Sequence, residues 1–169
     1  MTSAMPAFDA ARHYARMLED ARRQVREHKP WDLSAQLQAG AAPLLLDVRE
    51  PDEFAQLFIP GSINIPRGIL EQACCWDFDE TEPRLAGEPG RAIVVICRSG
   101  NRSLLAALAM QQLGFADVSS LALGIRGWND AELGLVDAHG QIIDADEGDA
   151  RLASRLRPEQ RKPPLRPAP

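Results

Sequence analysis

The sequence lacks any apolar run close to the ~20 residues that a membrane-spanning helix needs. Its N-terminus also lacks the basic start and apolar core of a secretory signal. Cysteine is scarce: there are three, an odd number, which does not suggest a disulfide framework. Reduced thiols in a cytoplasm fit this content better. We therefore expect a cytoplasmic protein without a membrane partner.

The sequence also lacks an excess of basic residues. Its net charge is -5 and its pI is near 5.2, which argues against a nucleic-acid partner bound through charge. The three histidines are scattered over segments that we expect to be exposed, so we assign no metal site and no cofactor to them. With 169 residues, 45% of them hydrophobic and 25% charged, the chain has the composition of one globular domain with extensions.

One stretch in the second half of the chain has the pattern of a buried strand followed at once by a helix. Ile93–Ile96 is a continuous apolar, β-branched run, which is typical of a parallel sheet. Leucines at helical spacing follow between residues 104 and 113, and Gly114 is a helix stop signal. Cys97 therefore lies at the carboxyl end of a strand, directly before a helix N-terminus.

This placement indicates a reactive cysteine. The free N–H groups and the positive dipole end of a helix favour an anion, and a thiolate is an anion. Arg98 and Arg102 add positive charge, and Gly100 permits a tight turn. Reactive cysteines occupy electropositive, partly exposed sites, so we expect Cys97 to be partly exposed. The alternative is a buried structural cysteine with incidental arginines nearby.

Polar side chains also follow a second predicted strand. Leu44–Val48 is an apolar run except for Asp47, and Arg49 comes directly after it. In open α/β sheets, ligands bind at the carboxyl ends of the strands, the edge at which we expect Cys97. We therefore assign Asp47 and Arg49 a supporting role in the same site.

Other segments have weaker signals. Residues 7–28 have apolar residues at helical spacing, with Pro6 suited to the first turn, and this helix either docks on the domain or pairs with a second copy. Further patterns predict helices over 31–39 and 69–76, strands over 63–66 and 117–121, an acidic loop over 77–90, and a short helix after the motif Gly124–Asn129. In the tail from Gln141, we expect Gly148 to interrupt helical structure, a helix over 149–157 and a disordered end.

Three segments, in this order, resemble the signatures of the rhodanese (thiosulfate sulfurtransferase) family. The segment from Leu46 to Pro66 resembles the first signature, Cys97–Ser103 the active-site loop and Gly124–Trp128 the closing motif. Together they cover roughly residues 31–137. In one departure, Leu57-Phe58 stand where the family usually has Gly-His, and we expect altered local packing there without loss of activity.

The resemblance implies an α/β fold with a mainly parallel central sheet and helices on both faces. We divide the chain into an N-terminal helical extension (1–30), a rhodanese domain (31–140) and a partly disordered tail (141–169). The resemblance also implies a sulfurtransferase that takes sulfur from thiosulfate or a similar donor and carries it as a persulfide on Cys97. The acceptor would be cyanide in an assay or a cellular thiol, or else a protein, and the chain would be a monomer or homodimer. The substrate-binding residues would be Arg98, Ser99, Gly100, Asn101, Arg102 and Ser103.

Two competing functions remain open. The related cell-cycle phosphatases and arsenate reductases have the loop His-Cys-x5-Arg, whereas here Ile96 precedes the cysteine and four residues separate it from Arg102. The shorter loop suits a sulfur atom and is tight for a phosphate. The other competitor is a module that delivers sulfur to a partner protein or senses it; degenerate, non-catalytic members of the family typically lose the cysteine, which is intact here.

Overall fold

The computed structural model describes residues 9–161, so the predicted role of Pro6 and residues 162–169 of the predicted disordered end lie outside the described residues. No described helix has both the length and the apolar character needed to cross a membrane. The described helices and strands, in chain order, are α1 (Ala10–Arg22), β1 (Arg26–His28), α2 (Pro30–Gln38), β2 (Leu44–Asp47), α3 (Pro51–Gln56), β3 (Ile63–Asn64), α4 (Leu70–Ala73), α5 (Pro83–Ala86), β4 (Ile93–Ile96), α6 (Asn101–Gln112), β5 (Val118–Leu121), α7 (Gly124–Asp130), β6 (Leu135–Val136), β7 (Ile142–Ile143) and α8 (Ala145–Leu152).

The centre of the molecule is a five-stranded sheet with the order β1-β5-β4-β2-β3, in which every neighbouring pair is parallel. β4 lies between β2 and β5, with Val95 opposite Leu46 on one side and opposite Ser120 on the other. All four residues of β2 and of β4 are buried, as expected for strands covered on both faces. The predicted α/β class with a parallel central sheet is confirmed.

A hydrophobic core lies on each face of this sheet, because successive residues of a strand point to opposite sides. Leu46 and Val95 belong to the core covered by α1, α4, α5 and α6. Leu45 and Val94 belong to the other core, which includes residues of α2, α7 and α8. Helices therefore cover both faces, and the carboxyl ends of β2, β4 and β5 meet at one edge.

The N-terminal segment differs from the single helix predicted over residues 7–28. The helix ends at Arg22, and Arg26–His28 form β1, which pairs with β5 at the edge of the sheet. Pairing with the main chain of β5 decides this conformation, and charged side chains are common on edge strands. Leu18 and Ala21 of α1 are buried in the same core as residues of α6, so the helix docks on the domain.

The segment after residue 140 also differs from its prediction. β7 pairs antiparallel with β6, and α8 begins at Ala145, after Asp144 accepts a hydrogen bond from the Glu147 N–H (2.8 Å). Gly148 lies inside α8 and does not interrupt it. A Cβ at Gly148 would lie 2.0 Å from Asn129 Oδ1, so glycine permits close packing of α8 on α7.

Between β3 and β4, two short helices replace the predicted longer helix and plain loop. α4 ends at Ala73, three residues before the predicted end, and a 3₁₀ turn over Arg67–Ile69 precedes it. α5, at Pro83–Ala86, interrupts the acidic loop predicted over 77–90. Proline at its first position and the Glu82 carboxylate, which accepts from the Arg84 N–H, account for this extra turn.

Candidate active site

Cys97 follows β4 directly and lies at the base of the loop that leads into α6. The turn is made at Gly100, whose φ of 94° lies in the left-handed region that favours glycine. A Cβ at Gly100 would approach the Leu123 nitrogen to 3.0 Å. Gly100 is also the N-cap of α6, so the first N–H groups of that helix belong to the loop, as predicted from the sequence.

Two hydrogen-bond donors lie within reach of the Cys97 sulfur inside this loop. The Gly100 N–H donates to Sγ at 3.1 Å, and the Ser103 hydroxyl lies 3.3 Å from Sγ and 3.1 Å from the Gly100 carbonyl oxygen. Ser120 of β5, which the sequence analysis did not include, donates its hydroxyl to Ser103 Oγ at 2.9 Å. Both serines are buried. Both contacts place a hydrogen-bond donor on the sulfur, which apolar surroundings alone would not provide.

The burial of Cys97 differs from the expectation of a partly exposed thiol, because the residue is only 1% exposed. It lies in the core covered by α6, and the loop from Arg98 to Ser103 bends around its sulfur. The donors on Sγ distinguish it from an ordinary core cysteine, which would have apolar surroundings alone. Reaction at this sulfur thus requires that its immediate neighbours move apart.

The closing motif holds the active-site loop through the main chain. The Ile125 N–H donates to the Cys97 carbonyl at 2.9 Å, and the Arg126 N–H donates to the Arg98 carbonyl at 3.0 Å. These donors belong to the first turn of α7. Gly124 precedes them, and a Cβ there would lie 2.3 Å from the Cys97 carbonyl oxygen. The motif predicted from Gly124 onwards is therefore part of the helix itself, packed directly against the loop.

Arg102 is bound to Glu53, a residue of α3 that the sequence analysis did not place in the site. Both guanidinium NH groups donate to the carboxylate at 2.7 Å. The hydrogen bond from Arg102, outweighing burial, lowers the pKa of Glu53 and so favours the charged carboxylate. The positive charge of Arg102 is thus paired with Glu53, whereas the family resemblance implies that this charge binds the sulfur-donating substrate.

Asp47 and Arg49 form a buried ion pair beside the site. Arg49 Nη2 lies 2.7 Å from Asp47 Oδ2, and the two side chains are 1% and 0% exposed. Arg49 also donates to the carbonyls of Glu53 and Leu57. Asn64 of β3 donates to the carbonyls of both Asp47 and Arg49. The pair therefore braces the carboxyl ends of β2 and β3, next to the cysteine-bearing strand.

Leu57-Phe58, the departure from the family pattern, pack locally. Leu57 is buried, and its carbonyl is the one that accepts from Arg49 at 2.7 Å. Phe58 stacks on Phe54 with ring centroids 4.3 Å apart and exchanges two main-chain hydrogen bonds with Val136. Phe58 thus links α3 to the β6–β7 hairpin.

Within residues 9–161, the side chains of Arg98, Ser99 and Asn101 donate no hydrogen bond to the Cys97 sulfur. Arg98 donates to the Leu152 carbonyl at the end of α8. Ser99 is exposed and Asn101 is half-buried, and within residues 9–161 neither side chain has a hydrogen-bond partner. A cavity of about 270 Å³ adjoins Arg98; its walls are Arg49, Glu53, Gln56, Leu57, Arg98, Arg151, Leu152, Ala153, Ser154 and Arg155.

The other two cysteines are also free thiols. Cys74 is buried at the end of α4, and desolvation raises the pKa of its thiol to about 12. Cys75 is half-buried. In the described part of the chain, no three His, Cys, Asp or Glu side chains come together in a way that could hold a metal ion.

Comparison with known sequences gives the same family as the residue motifs. The model of the rhodanese-like domain matches residues 30–131. A sulfurtransferase from Allochromatium vinosum is 32% identical over 73% of this chain and 99% of its own length. A putative mitochondrial thiosulfate sulfurtransferase from Schizosaccharomyces pombe is 34% identical over 60% and 74% of the two chains. A putative sulfur carrier protein of Bacillus subtilis, YrkF, is 36% identical over 50% of this chain, which spans only 40% of that protein.

Solved structures agree with this assignment. A thiosulfate sulfurtransferase from Pseudomonas aeruginosa has a TM-score of 0.60 and 25% identity, over 82% of this chain and 26% of its own. A protein from Rhodopseudomonas palustris, described as a possible tyrosine phosphatase, has a TM-score of 0.67 and 28% identity, over 82% and 99% of the two chains. With a parallel sheet, a cysteine loop and a closing glycine motif in the expected places, the chain belongs to the family of rhodanese-like domains.

Proposed function

We propose that the protein is a sulfurtransferase that carries a sulfane sulfur as a persulfide on Cys97. The observation that supports this proposal best is the pair of donors on Cys97 Sγ, the Gly100 N–H and the Ser103 hydroxyl. Hydrogen-bond donors and the positive end of a helix stabilise an anion, and the nucleophile in persulfide chemistry is the anionic thiolate. Matches to proteins named as sulfurtransferases support the same class of reaction.

The proposed first step is attack by the Cys97 thiolate on the outer sulfur of thiosulfate or a similar donor. A bond forms between Sγ and that sulfur, and the bond between the two donor sulfurs breaks. Sulfite leaves with the electron pair, and the protein retains the terminal sulfur as an anionic persulfide. No proton is transferred, so no general base is required in this step.

In the second step, a thiophilic acceptor attacks the terminal sulfur of the persulfide. The bond to Sγ breaks, its electron pair returns to Cys97, and the thiolate is regenerated. Until the acceptor attacks, the persulfide anion needs hydrogen-bond donors. In our proposal these donors are the N–H groups at the start of α6, apart from the Gly100 N–H, which donates to Sγ.

The acceptor in the cell is either a small thiol or a protein. Delivery to a partner protein is the second candidate, because the similar Bacillus protein is named as a putative sulfur carrier. Ser99 of the cysteine loop and Leu123, which lies close to Gly100, are exposed and would contact such a partner. We further propose that the protein works in the reducing cytoplasm, in which its three free thiols would stay reduced.

Phosphatase chemistry is the competing proposal, in view of the similar protein from Rhodopseudomonas palustris. The same helix N-terminus could bind a phosphate. The pocket around Sγ is small, however: Cys97 is 1% exposed, and Gly100 and Ser103 contact its sulfur directly. A single sulfur atom requires less displacement of these neighbours than a phosphate does.

Intact-mass measurement after incubation with thiosulfate tests the proposal. We expect one added sulfur atom on the wild-type protein and on the Cys74→Ser/Cys75→Ser variant, and none on Cys97→Ser. Cys74 is not expected to carry sulfur, because a thiol with a pKa of about 12 remains protonated near neutral pH. Wild-type protein that gains no sulfur but hydrolyses p-nitrophenyl phosphate would overturn the proposal in favour of a phosphatase.

A further inference from the structure

Residues 76–80, between α4 and α5, carry two aromatic side chains on the surface, and we call this segment the aromatic loop. Trp76 is 55% exposed and Phe78 is 48% exposed. Exposed aromatic side chains next to one another are a common mark of an interaction surface. The loop also holds three carboxylates that have no ion pair and no side-chain hydrogen bond within residues 9–161: Asp77, Asp79 and Glu80.

The aromatic loop is held in one conformation by its own hydrogen bonds. The Thr81 hydroxyl donates to the Cys75 carbonyl at 2.7 Å and accepts from the Phe78 N–H at 3.1 Å. Asp77 has a positive φ of 68°, a conformation that aspartate adopts more readily than most side chains. The two rings are thus presented to solvent by an ordered turn, which a binding partner would not have to order.

Two arginines on the solvent side of α1 also lack a partner. Arg12 and Arg16 are exposed and lie one helical turn apart, and neither guanidinium has an ion pair or hydrogen bond in the described part of the chain. With about 3.6 residues per turn, both lie on the side of the helix away from the buried Leu18. Like charges at this spacing repel each other. An anionic surface placed against α1 would relieve that repulsion.

The two surfaces are complementary in their chemistry. Guanidinium groups stack on aromatic faces and form hydrogen-bonded pairs with carboxylates, and the aromatic loop offers both. Both α1 and α4, which precedes the loop, pack against α6 on the same face of the sheet. A two-fold axis beside this face can therefore place α1 of each copy against the aromatic loop of the other.

We propose that the protein forms a homodimer in which Arg12 and Arg16 of one copy bind the aromatic loop of the other. Two-fold symmetry makes this contact twice, so both pairs of arginines and both loops are used. The net charge of -5 on each copy opposes unspecific association, and the contact depends on these local opposite charges. The dimer should accordingly weaken as added salt screens them.

Sedimentation velocity over a series of protein concentrations tests the dimer by exchanging charges. We expect wild-type protein to dimerise. Arg12→Glu/Arg16→Glu and Asp79→Arg/Glu80→Arg should each self-associate roughly tenfold or more weakly, because each variant places like charges opposite one another. An equal mixture of the two variants should dimerise again, since each then supplies the charge that the other lacks. This measurement is independent of sulfur transfer.

Lys29→Glu/Arg155→Glu is the matched control. It makes the same change in net charge at two exposed positions, next to α2 and α8, which pack on the opposite face of the sheet. Its dimerisation should equal that of wild-type protein. Circular dichroism confirms that each variant is folded.

A variant that removes the rings without changing charge, Trp76→Ser/Phe78→Ser, tests the aromatic part of the contact and should also weaken the dimer. Wild-type protein that is monomeric at every concentration would overturn the proposal. So would charge variants that dimerise like wild-type protein, or a mixture of the two folded charge variants that stays monomeric.

Discussion

At the scale of single residues, the buried pair of Asp47 and Arg49 shows how charge is used in the interior. Five hydrogen bonds of the Arg49 side chain satisfy its guanidinium: three go to the Asp47 carboxylate, and one each to the carbonyls of Glu53 and Leu57. No buried side-chain polar atom in the described residues lacks a partner. Removing one member of such a pair therefore leaves a charge or a donor buried without compensation.

We predict that Arg49→Leu lowers the free energy of unfolding by about 3–5 kcal/mol, because the Asp47 carboxylate is left buried and unpaired. The double variant Asp47→Leu/Arg49→Leu should regain part of this loss, since no uncompensated charge remains. Urea denaturation of the three proteins measures the difference. Arg84→Leu is the control: its pair with Glu82 is on the surface, and about 1 kcal/mol or less should be lost there. If Arg49→Leu is no worse than this control, the pair is not structural.

The site residues divide into those that the sequence could identify and those that it could not. Cys97, Arg98 and Ser103 lie in one continuous loop, so a strand pattern followed by a helix pattern is enough to locate them. Glu53 and Ser120 reach the loop from other elements through contacts that only the folded chain creates. The exposure of Cys97 could not be read from its neighbours either, because the loop conformation decides it.

At the scale of elements, the first turn of α7 acts as a clamp on the cysteine loop. Its Ile125 and Arg126 N–H groups bind the carbonyls of Cys97 and Arg98, and Gly124 lets the two main chains approach. The φ of Gly124 is 60°, and the preceding Leu123 also has a positive φ of 65°. The backbone here is held in the left-handed region over two residues, which is strained for any side chain larger than glycine.

Gly124→Ala should therefore displace the loop from α7. A Cβ at this position would lie 2.3 Å from the Cys97 carbonyl oxygen and 2.6 Å from the Arg98 carbonyl carbon, both main-chain atoms that cannot move independently. We expect a loss of more than about 1 kcal/mol of stability and a fall in sulfur-transfer kcat of tenfold or more by analogy with misplaced catalytic groups. Thermal denaturation and steady-state assays measure both.

Gly134→Ala is the matched control for this prediction. Gly134 has no positive φ, and its added Cβ would meet no heavy atom within 4 Å. It should therefore change stability by no more than about 0.5 kcal/mol and leave turnover unchanged. Normal turnover in Gly124→Ala would contradict the role of α7 as a clamp.

Strands that carry their own hydrophobic signal were predictable, and those defined by a partner were not. β2 and β4 are continuous apolar runs, which indicate burial on both faces. β1 reads Arg-Glu-His and becomes a strand because β5 offers it unpaired main-chain groups. Likewise, Gly148 alone predicts an interruption of the helix, but in the fold it lies where α8 packs closely on α7.

At the scale of the whole molecule, the parts outside the family match complete the fold. The match covers residues 30–131, yet β1 at Arg26–His28 is an edge strand of the central sheet. α1 covers part of α6, the helix whose N-terminus holds the cysteine loop. On the opposite face, Leu152 of α8 is buried in the second core. Both segments thus support the elements that position the site.

Leu18→Ala tests whether α1 is an integral part of this molecule. Leu18 is 6% exposed and packs in the core shared with α6, whereas its neighbour Met17 is 56% exposed. We expect Leu18→Ala to lower the free energy of unfolding by about 2–5 kcal/mol, through lost apolar burial and the cavity that it leaves. Met17→Ala removes a similar volume from the solvent side of the same helix and should cost about 0.5 kcal/mol or less. Urea denaturation followed by circular dichroism compares the two, and equal effects would mean that α1 does not dock on α6 in solution.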